Sequence, residues 1–286
     1  MPSRFWSFVI LVYWSIAAFW LFRSDVLPEF TLGNPPDLRA IAVAGDSDRP
    51  TRWSIQVVDN PKEPDSRRAV GEATTASARR PAGGYELTSH VDFDAGRVLR
   101  GTPFASRMSS MRLLIDSRYD VDASGNLLSL LLEVKSPDSP ETLIEVKGTP
   151  RGKLMEIISR GPVPLLNQRW AFDYEPGSVI HDALRPLDRL PGLHVGQRWE
   201  TRVVNPFTGQ VDRARVEVVG RGYIQWNGEA VSTFEVVQHI PPLIARTWVK
   251  TDGLILRQEV PFPLTRIILE RKPDADAPAN PRTTPP

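Results

Sequence analysis

From Trp53 to Glu270 the chain alternates apolar and polar positions with a period of two, the spacing that puts one face of a β-strand against a core. Trp53, Ile55 and Val57 alternate with Ser54 and Gln56. Tyr85, Leu87, Val91 and Phe93 share one face, and Glu86, Thr88, His90 and Asp92 share the other. The clearest run is Arg112 to Asp122. Leu113, Ile115, Tyr119 and Val121 face one way; Arg112, Asp116, Arg118, Asp120 and Asp122 face the other. Ser124-Gly125-Asn126 then turns the chain, and Leu128, Leu130, Leu132 and Val134 return on the buried side. A strand pair with one wet face is the habit of antiparallel sheets.

The pattern continues. Thr142–Val146 and Leu154–Ile158 flank a Gly148–Gly152 turn region, and Ala214, Val216 and Val218 mark a further strand. Tyr223–Trp226 and Ala230–Val237 flank Asn227-Gly228, and Thr247–Lys250 and Leu254–Val260 flank Asp252-Gly253. Both dipeptides favour the positive backbone angles of tight hairpin turns. Thr265–Glu270 closes the series. About a dozen short strands joined by tight turns predict a mainly β fold, a curved antiparallel sheet or open half-barrel. One or two short helices are expected, the best at Ser178–Leu190, where Pro186 limits its length. Arg97–Ser110 reads as a loop crossing one barrel end.

Ahead of this body, Phe5 to Phe22 holds no charge. As a helix it rises about 27 Å, close to the hydrocarbon thickness of a bilayer. A secretory leader has a shorter apolar core and a small-x-small cleavage site. Here Phe19-Trp20-Leu21-Phe22 directly follows Ala17-Ala18. The expectation is therefore a retained single-pass transmembrane helix at 5–23, with residues 1–4 cytoplasmic. Arg4 and the α-amino group favour that orientation by the positive-inside rule. Residues 24–52, with Pro28, Pro35, Pro36 and Pro50, read as a tether; 53–272 as the extracytoplasmic, periplasmic β domain; and 273–286, "PDADAPANPRTTPP", as a disordered Pro-rich tail. The predicted location is the inner membrane.

Composition narrows the chemistry. Lys+Arg 35 against Asp+Glu 34 gives +1, so no global field calls for nucleic acid. The absence of cysteine removes disulfides, zinc-thiolate sites and thiol catalysis. The four histidines, His90, His181, His194 and His239, form no metal-ligand spacing. Asp116, Asp120 and Asp122 line one strand face, but Arg112 and Arg118 share it, which is the pattern of a solvated charged face. No Gly-x-Ser-x-Gly elbow surrounds Ser77, Ser109 or Ser110, and Gly83-Gly84 lacks the Lys and Ser/Thr of a phosphate loop. We assign no catalytic residue, metal or cofactor. Half-barrels present a concave face where apolar ligands bind. Trp170, Phe172, Trp199, Tyr223, Trp226 and Trp248 are the candidates to line it.

Residues 187–237, "LDRLPGLHVGQRWETRVVNPFTGQVDRARVEVVGRGYIQWNGEAVSTFEVV", with 247–271, "TWVKTDGLILRQEVPFPLTRIILER", resemble the β-domains of bacterial envelope proteins beside transglutaminase-like cores. The shared elements are Gly192 to Trp199, Asn205-Pro206, Gly228, and the Trp248-Val249, Asp252-Gly253, Leu256-Arg257 hairpin. The same residues look like periplasmic half-barrels related to lipoprotein carriers. The Cys of a transglutaminase core is missing, so the resemblance implies the accessory domain alone. The functional expectation is a membrane-anchored, non-enzymatic envelope protein that binds or scaffolds, holding an apolar ligand such as a lipid or an envelope protein partner. The alternatives are a membrane-bound hydrolase of wall polymer or ester, built from the Asp, Ser and His residues above, and a structural partner of a protease-like or transglutaminase-like protein.

Overall fold

Each alternating run is a strand, and all of the strands join one sheet. The computed structural model describes residue 14 and residues 50–58, 66–98, 111–139, 141–174, 188–204, 211–240, 243–262 and 265–273. In chain order the strands are β1 (Thr51–Val58), β2 (Arg67–Arg79), β3 (Tyr85–Asp94), β4 (Arg112–Val121), β5 (Leu127–Lys135), β6 (Thr142–Arg151) and β7 (Leu154–Arg160). Then follow β8 (Gln168–Asp173), β9 (Arg198–Val204), β10 (Val211–Trp226), β11 (Glu229–Ile240), β12 (Leu243–Lys250), β13 (Ile255–Phe262) and β14 (Thr265–Arg271). Helix is confined, among the described residues, to a turn at Ala95–Val98, a 3-10 turn at Pro164–Leu166, and Trp14. No helix among them is long and apolar enough to cross a membrane.

The sheet order runs from β8 down to β1, then from β14 down to β9, with antiparallel pairing throughout. Every pairing but one therefore joins sequence neighbours. The exception, β1 with β14, brings Trp53 opposite Arg271 and Ile55 opposite Leu269. The two free edges are β8 and β9, strands consecutive in sequence, so the sheet is open.

Short turns make this meander possible. Asn227 (φ 52°) and Gly228 (φ 79°) take the two positive angles that a two-residue hairpin turn needs. Asp122 accepts backbone N–H bonds from Ser124 and Asn126 at 2.8 Å and so fixes the β4–β5 turn. A register shift between Asp120 and Val121 rotates the start of β5, burying Leu127 and exposing Leu128. That corrects the expectation that Leu128 faces the core. The Gly148–Gly152 region also differs: β6 runs on to Arg151, and the turn is Gly152-Lys153. Gly148 lies within the strand, and a Cβ there would stand 2.6 Å from Leu130 Cγ, so the close approach of that side chain favours glycine.

The inner face forms one hydrophobic cluster that includes Trp53, Tyr119, Val146, Met155, Ile157, Trp199, Phe234 and Leu269. Trp53, Val146 and Met155 are 0% exposed. Apolar side chains of the sheet itself thus fill this part of the curl. Burying such side chains stabilises the fold by about 1.5–3 kcal/mol each.

The leader at 5–23, apart from Trp14, lies outside the described residues, as do the tether up to Arg49, the tail beyond Pro273 and the expected helix up to Leu187. The last three residues of that expected helix, 188–190, are extended. Arg189 bridges Leu254, and the Leu190 N–H donates to the Gly253 carbonyl at 2.8 Å.

Candidate functional site

Three of the six aromatic candidates belong to the inner face. Trp199 on β9 is buried in the cluster, and Trp170 and Phe172 on β8 are half-buried against it. They occupy the two free-edge strands. The other three lie apart from that cluster. Tyr223 is 77% exposed. Trp226 donates its indole N–H to the Arg271 carbonyl at 2.8 Å. Trp248 lies under the Arg257 guanidinium, 5.9 Å from its ring centre, where Arg257 pairs with Glu270 at 3.4 Å.

The inner face also carries polar atoms. Thr75, Ser89 and Ser117 stand side by side on β2, β3 and β4 through the pairs Thr75–Ser89 and Ser89–Ser117. All three are buried. Thr75 is fully partnered: its hydroxyl accepts from the Trp53 indole at 3.1 Å and donates to Asp188 at 2.6 Å. Asp188 also faces Arg271 at 3.8 Å, and Arg271 donates to the Thr51 hydroxyl at 3.0 Å. This network ties the segment leading into β9 to the place where the first and last strands meet. The Ser89 and Ser117 hydroxyls and the Trp170 indole N–H have no hydrogen-bond partner among the described residues. A buried donor without a partner is costly, and it marks a place where water or a ligand oxygen would be favourable.

On the outer face, β2 to β5 enclose a shallow hollow of about 370 Å³, where the small side chains of Thr74, Ala76 and Thr88 lie among larger ones. His90 Nδ1 lies 2.7 Å from Asp116 Oδ1, and Lys135 lies 3.6 Å from the other oxygen of Asp116. The His90 and Asp116 side chains are 54% and 42% exposed. Lys135 donates to Glu133 at 3.0 Å, and that hydrogen bond is the main reason its ammonium is held above the ordinary lysine value. Beside them Arg112 grips Asp92, donating to its Oδ1 at 2.7 Å, and holds that carboxyl below its ordinary value against the opposing effect of burial. Asp120 is engaged by the Ser129 hydroxyl at 2.6 Å and by Arg80 at 3.5 Å. The three aspartates predicted on one face are thus each paired with a different neighbour. Asp116 and Asp120 take cross-strand partners, a surface-stabilising arrangement, whereas Asp122 is held inside the β4–β5 turn. Ser89 and Ser117, the nearest hydroxyls in sequence, are buried on the opposite face and are not presented to His90. His194 lies in the described return to β9, and His181 lies outside the described residues.

Sequence reasoning missed Asp188 and Thr75. They meet across 113 positions, and Asp188 lay in the stretch read as a helix. No local pattern links them.

No known family model matches the chain, and no curated protein matches it. Among solved structures, it is similar to a β-barrel-like protein of domain of unknown function DUF1849 from Brucella abortus. The TM-score is 0.45 at 10% identity, covering 78% of this chain and 95% of that one. It is also similar to a DUF1089 family protein from Pseudomonas aeruginosa, with TM-score 0.35 at 15% identity, covering 65% and 89%. Likeness at these scores carries no functional argument.

Proposed function

We propose that the protein is a membrane-anchored, extracytoplasmic binding protein of the cell envelope. It acts without catalysis and holds an apolar ligand of lipid type against the aromatic residues of the free-edge strands β8 and β9. The observation that carries this reading is the pair of free-edge strands bearing Trp170, Phe172 and Trp199, with a Trp170 indole N–H that has no hydrogen-bond partner among the described residues. Aromatic faces supply apolar contact, and a buried N–H supplies one directed bond to a ligand oxygen, which is the usual composition of such a site. The uncharged 5–22 stretch supports the anchor, and the envelope resemblance of residues 187–271 supports the compartment.

The full chain extracted from its native membrane in mild detergent is the sample to test. Native mass spectrometry should show an adduct of lipid mass that weakens several-fold in Trp170→Phe, which keeps the ring and removes the donor. A chain that carries no adduct, and takes up none from a panel of membrane lipids, would overturn the reading.

The hydrolase reading rests on the His90–Asp116 contact. Turnover of an ester, peptide or glycan substrate that His90→Ala abolishes would establish it in place of the binding role.

A further inference from the structure

The direction of the strands sorts the turns into two ends of the sheet. β1 begins at one end and β14 finishes there, so the chain that precedes Thr51 and the chain that follows Arg271 both leave from that end. The same end carries the turns β2–β3, β4–β5, β6–β7, β10–β11 and β12–β13. Two of these turns are basic. Arg79 and Arg80 open "RRPAGG", and Arg151 and Lys153 bracket "RGK", with no acid inside either turn. Glu156 faces Arg151 at 3.0 Å and Asp120 faces Arg80 at 3.5 Å, so part of that charge is balanced. Asp122 and Asp252, the acids of two other turns, accept backbone N–H bonds within their own turns.

An arm also projects from this end. β9 pairs with β10 only as far as Glu217, and β12 pairs with β11 only from Thr233. Among the described residues, the hairpin from Val219 to Ser232 therefore pairs only with itself, and its tip reaches back to β14 through Trp226 and Arg271. On the arm Tyr223 is 77% exposed, Val219 is 45% exposed, and Arg221 is exposed beside them. Leu154, next to the Arg151–Lys153 turn, is 46% exposed.

We infer that this end of the sheet faces the bilayer, with the Arg79–Arg80 and Arg151–Lys153 turns and the Tyr223 arm at anionic lipid headgroups. The inference rests on the proposed anchor at 5–23, because that reading makes the chain ahead of Thr51 lead back to the membrane. An amphipathic ring is most stable at headgroup depth, with its apolar body inward and its hydroxyl in water. Arginine and lysine are drawn to an anionic surface within about a Debye length of it. The opposite end has an exposed apolar spot of its own, Val163 (49%) and Leu165 (77%) in the β7–β8 connection. It lies at the far end of the strands from Thr51, which makes it the natural control.

The absence of cysteine allows single labels to be placed cleanly. The full chain is reconstituted into phosphatidylcholine–phosphatidylglycerol vesicles containing a nitroxide-headgroup lipid. Fluorophores are attached at Ser124→Cys or Ala230→Cys on the tether end, and at Asp138→Cys or Leu165→Cys on the far end. Quenching several-fold stronger at Ser124 and Ala230 is expected, reduced towards parity when phosphatidylglycerol is omitted or when Arg79→Glu, Arg80→Glu and Lys153→Glu are combined. Equal quenching at the two ends, or stronger quenching at Asp138 and Leu165, overturns the inference while leaving the anchor in place. Release of the chain from vesicles by alkaline carbonate overturns the anchor and this inference with it.

Discussion

Thr75→Val isolates the network where the chain's first and last strands, β1 and β14, pair. The side chains are similar in size, so the change removes one hydroxyl without opening a cavity. That hydroxyl is 1% exposed as part of Thr75, and it links two groups: the indole N–H of Trp53, itself 0% exposed, and the Asp188 carboxylate. Leaving a buried indole N–H without an acceptor costs about 1–3 kcal/mol. Removing a donor from a carboxylate costs about 1.5–3 kcal/mol when the group is buried. Asp188 keeps Arg271 at 3.8 Å and 17% of its side chain exposed, so its share falls at the low end. The sum is about 2.5–4.5 kcal/mol, which for a domain of this size lowers Tm by roughly 5–18 °C. Ser117→Ala is the internal control. Its hydroxyl is as buried and two strands away on the same row, but it has no partner among the described residues. Removing it should leave Tm unchanged or slightly raised. Thermal unfolding followed by circular dichroism at a strand band measures both. A Thr75→Val variant that melts within about 1 °C of the parent, or a Ser117→Ala variant that loses as much as Thr75→Val, would refute the assignment of stability to this network.

Other consequences are local. Gly253 has φ +85°, and a Cβ there would meet Pro191 Cα at 2.9 Å. Gly253→Ala should therefore cost about 1–3 kcal/mol in urea titration, more than Gly228→Ala, where a Cβ meets open space. Asp122 is held below its usual 3.8: burial pushes the carboxyl up, but bonds from Asn126, Ser124 and Gly125 outweigh it. A carboxyl lowered by folding binds more protons when unfolded, so its stabilisation is complete above about pH 4–5 and is lost as pH falls through the folded value. Asp122→Asn should flatten that part of the acid limb, read as Tm against pH. His90→Ala breaks an exposed contact in a solvated ladder and should shift Tm by no more than about 1 °C. A large shift would show that the outer hollow has a structural role. Trp199→Ala, by contrast, removes a ring 4% exposed in the shared cluster and should cost about 3–5 kcal/mol in the same titration.

Period-two alternation and turn chemistry are local properties, and they sufficed for the class of fold, for most strand faces and for the Asn227-Gly228 and Asp252-Gly253 hairpins. Alternation failed where the ladder itself is irregular. The shift at Asp120/Val121 exchanged Leu127 for Leu128, and the inward Gly148 was read as part of a turn. Both depend on what the neighbouring strand presents, which no single strand encodes. The same limit applies to the aromatic set. Composition nominated six rings, but sheet curvature divided them, placing Trp170, Phe172 and Trp199 in the inner cluster and Tyr223 on a projecting arm. The β1–β14 pairing and the Trp53–Thr75–Asp188–Arg271 network join residues as far apart as 220 positions, as in the Arg271–Thr51 bond. Closure of the meander alone decides such meetings, because a chain's local preferences set the shape of each strand and only the assembled sheet sets which distant side chains share its interior.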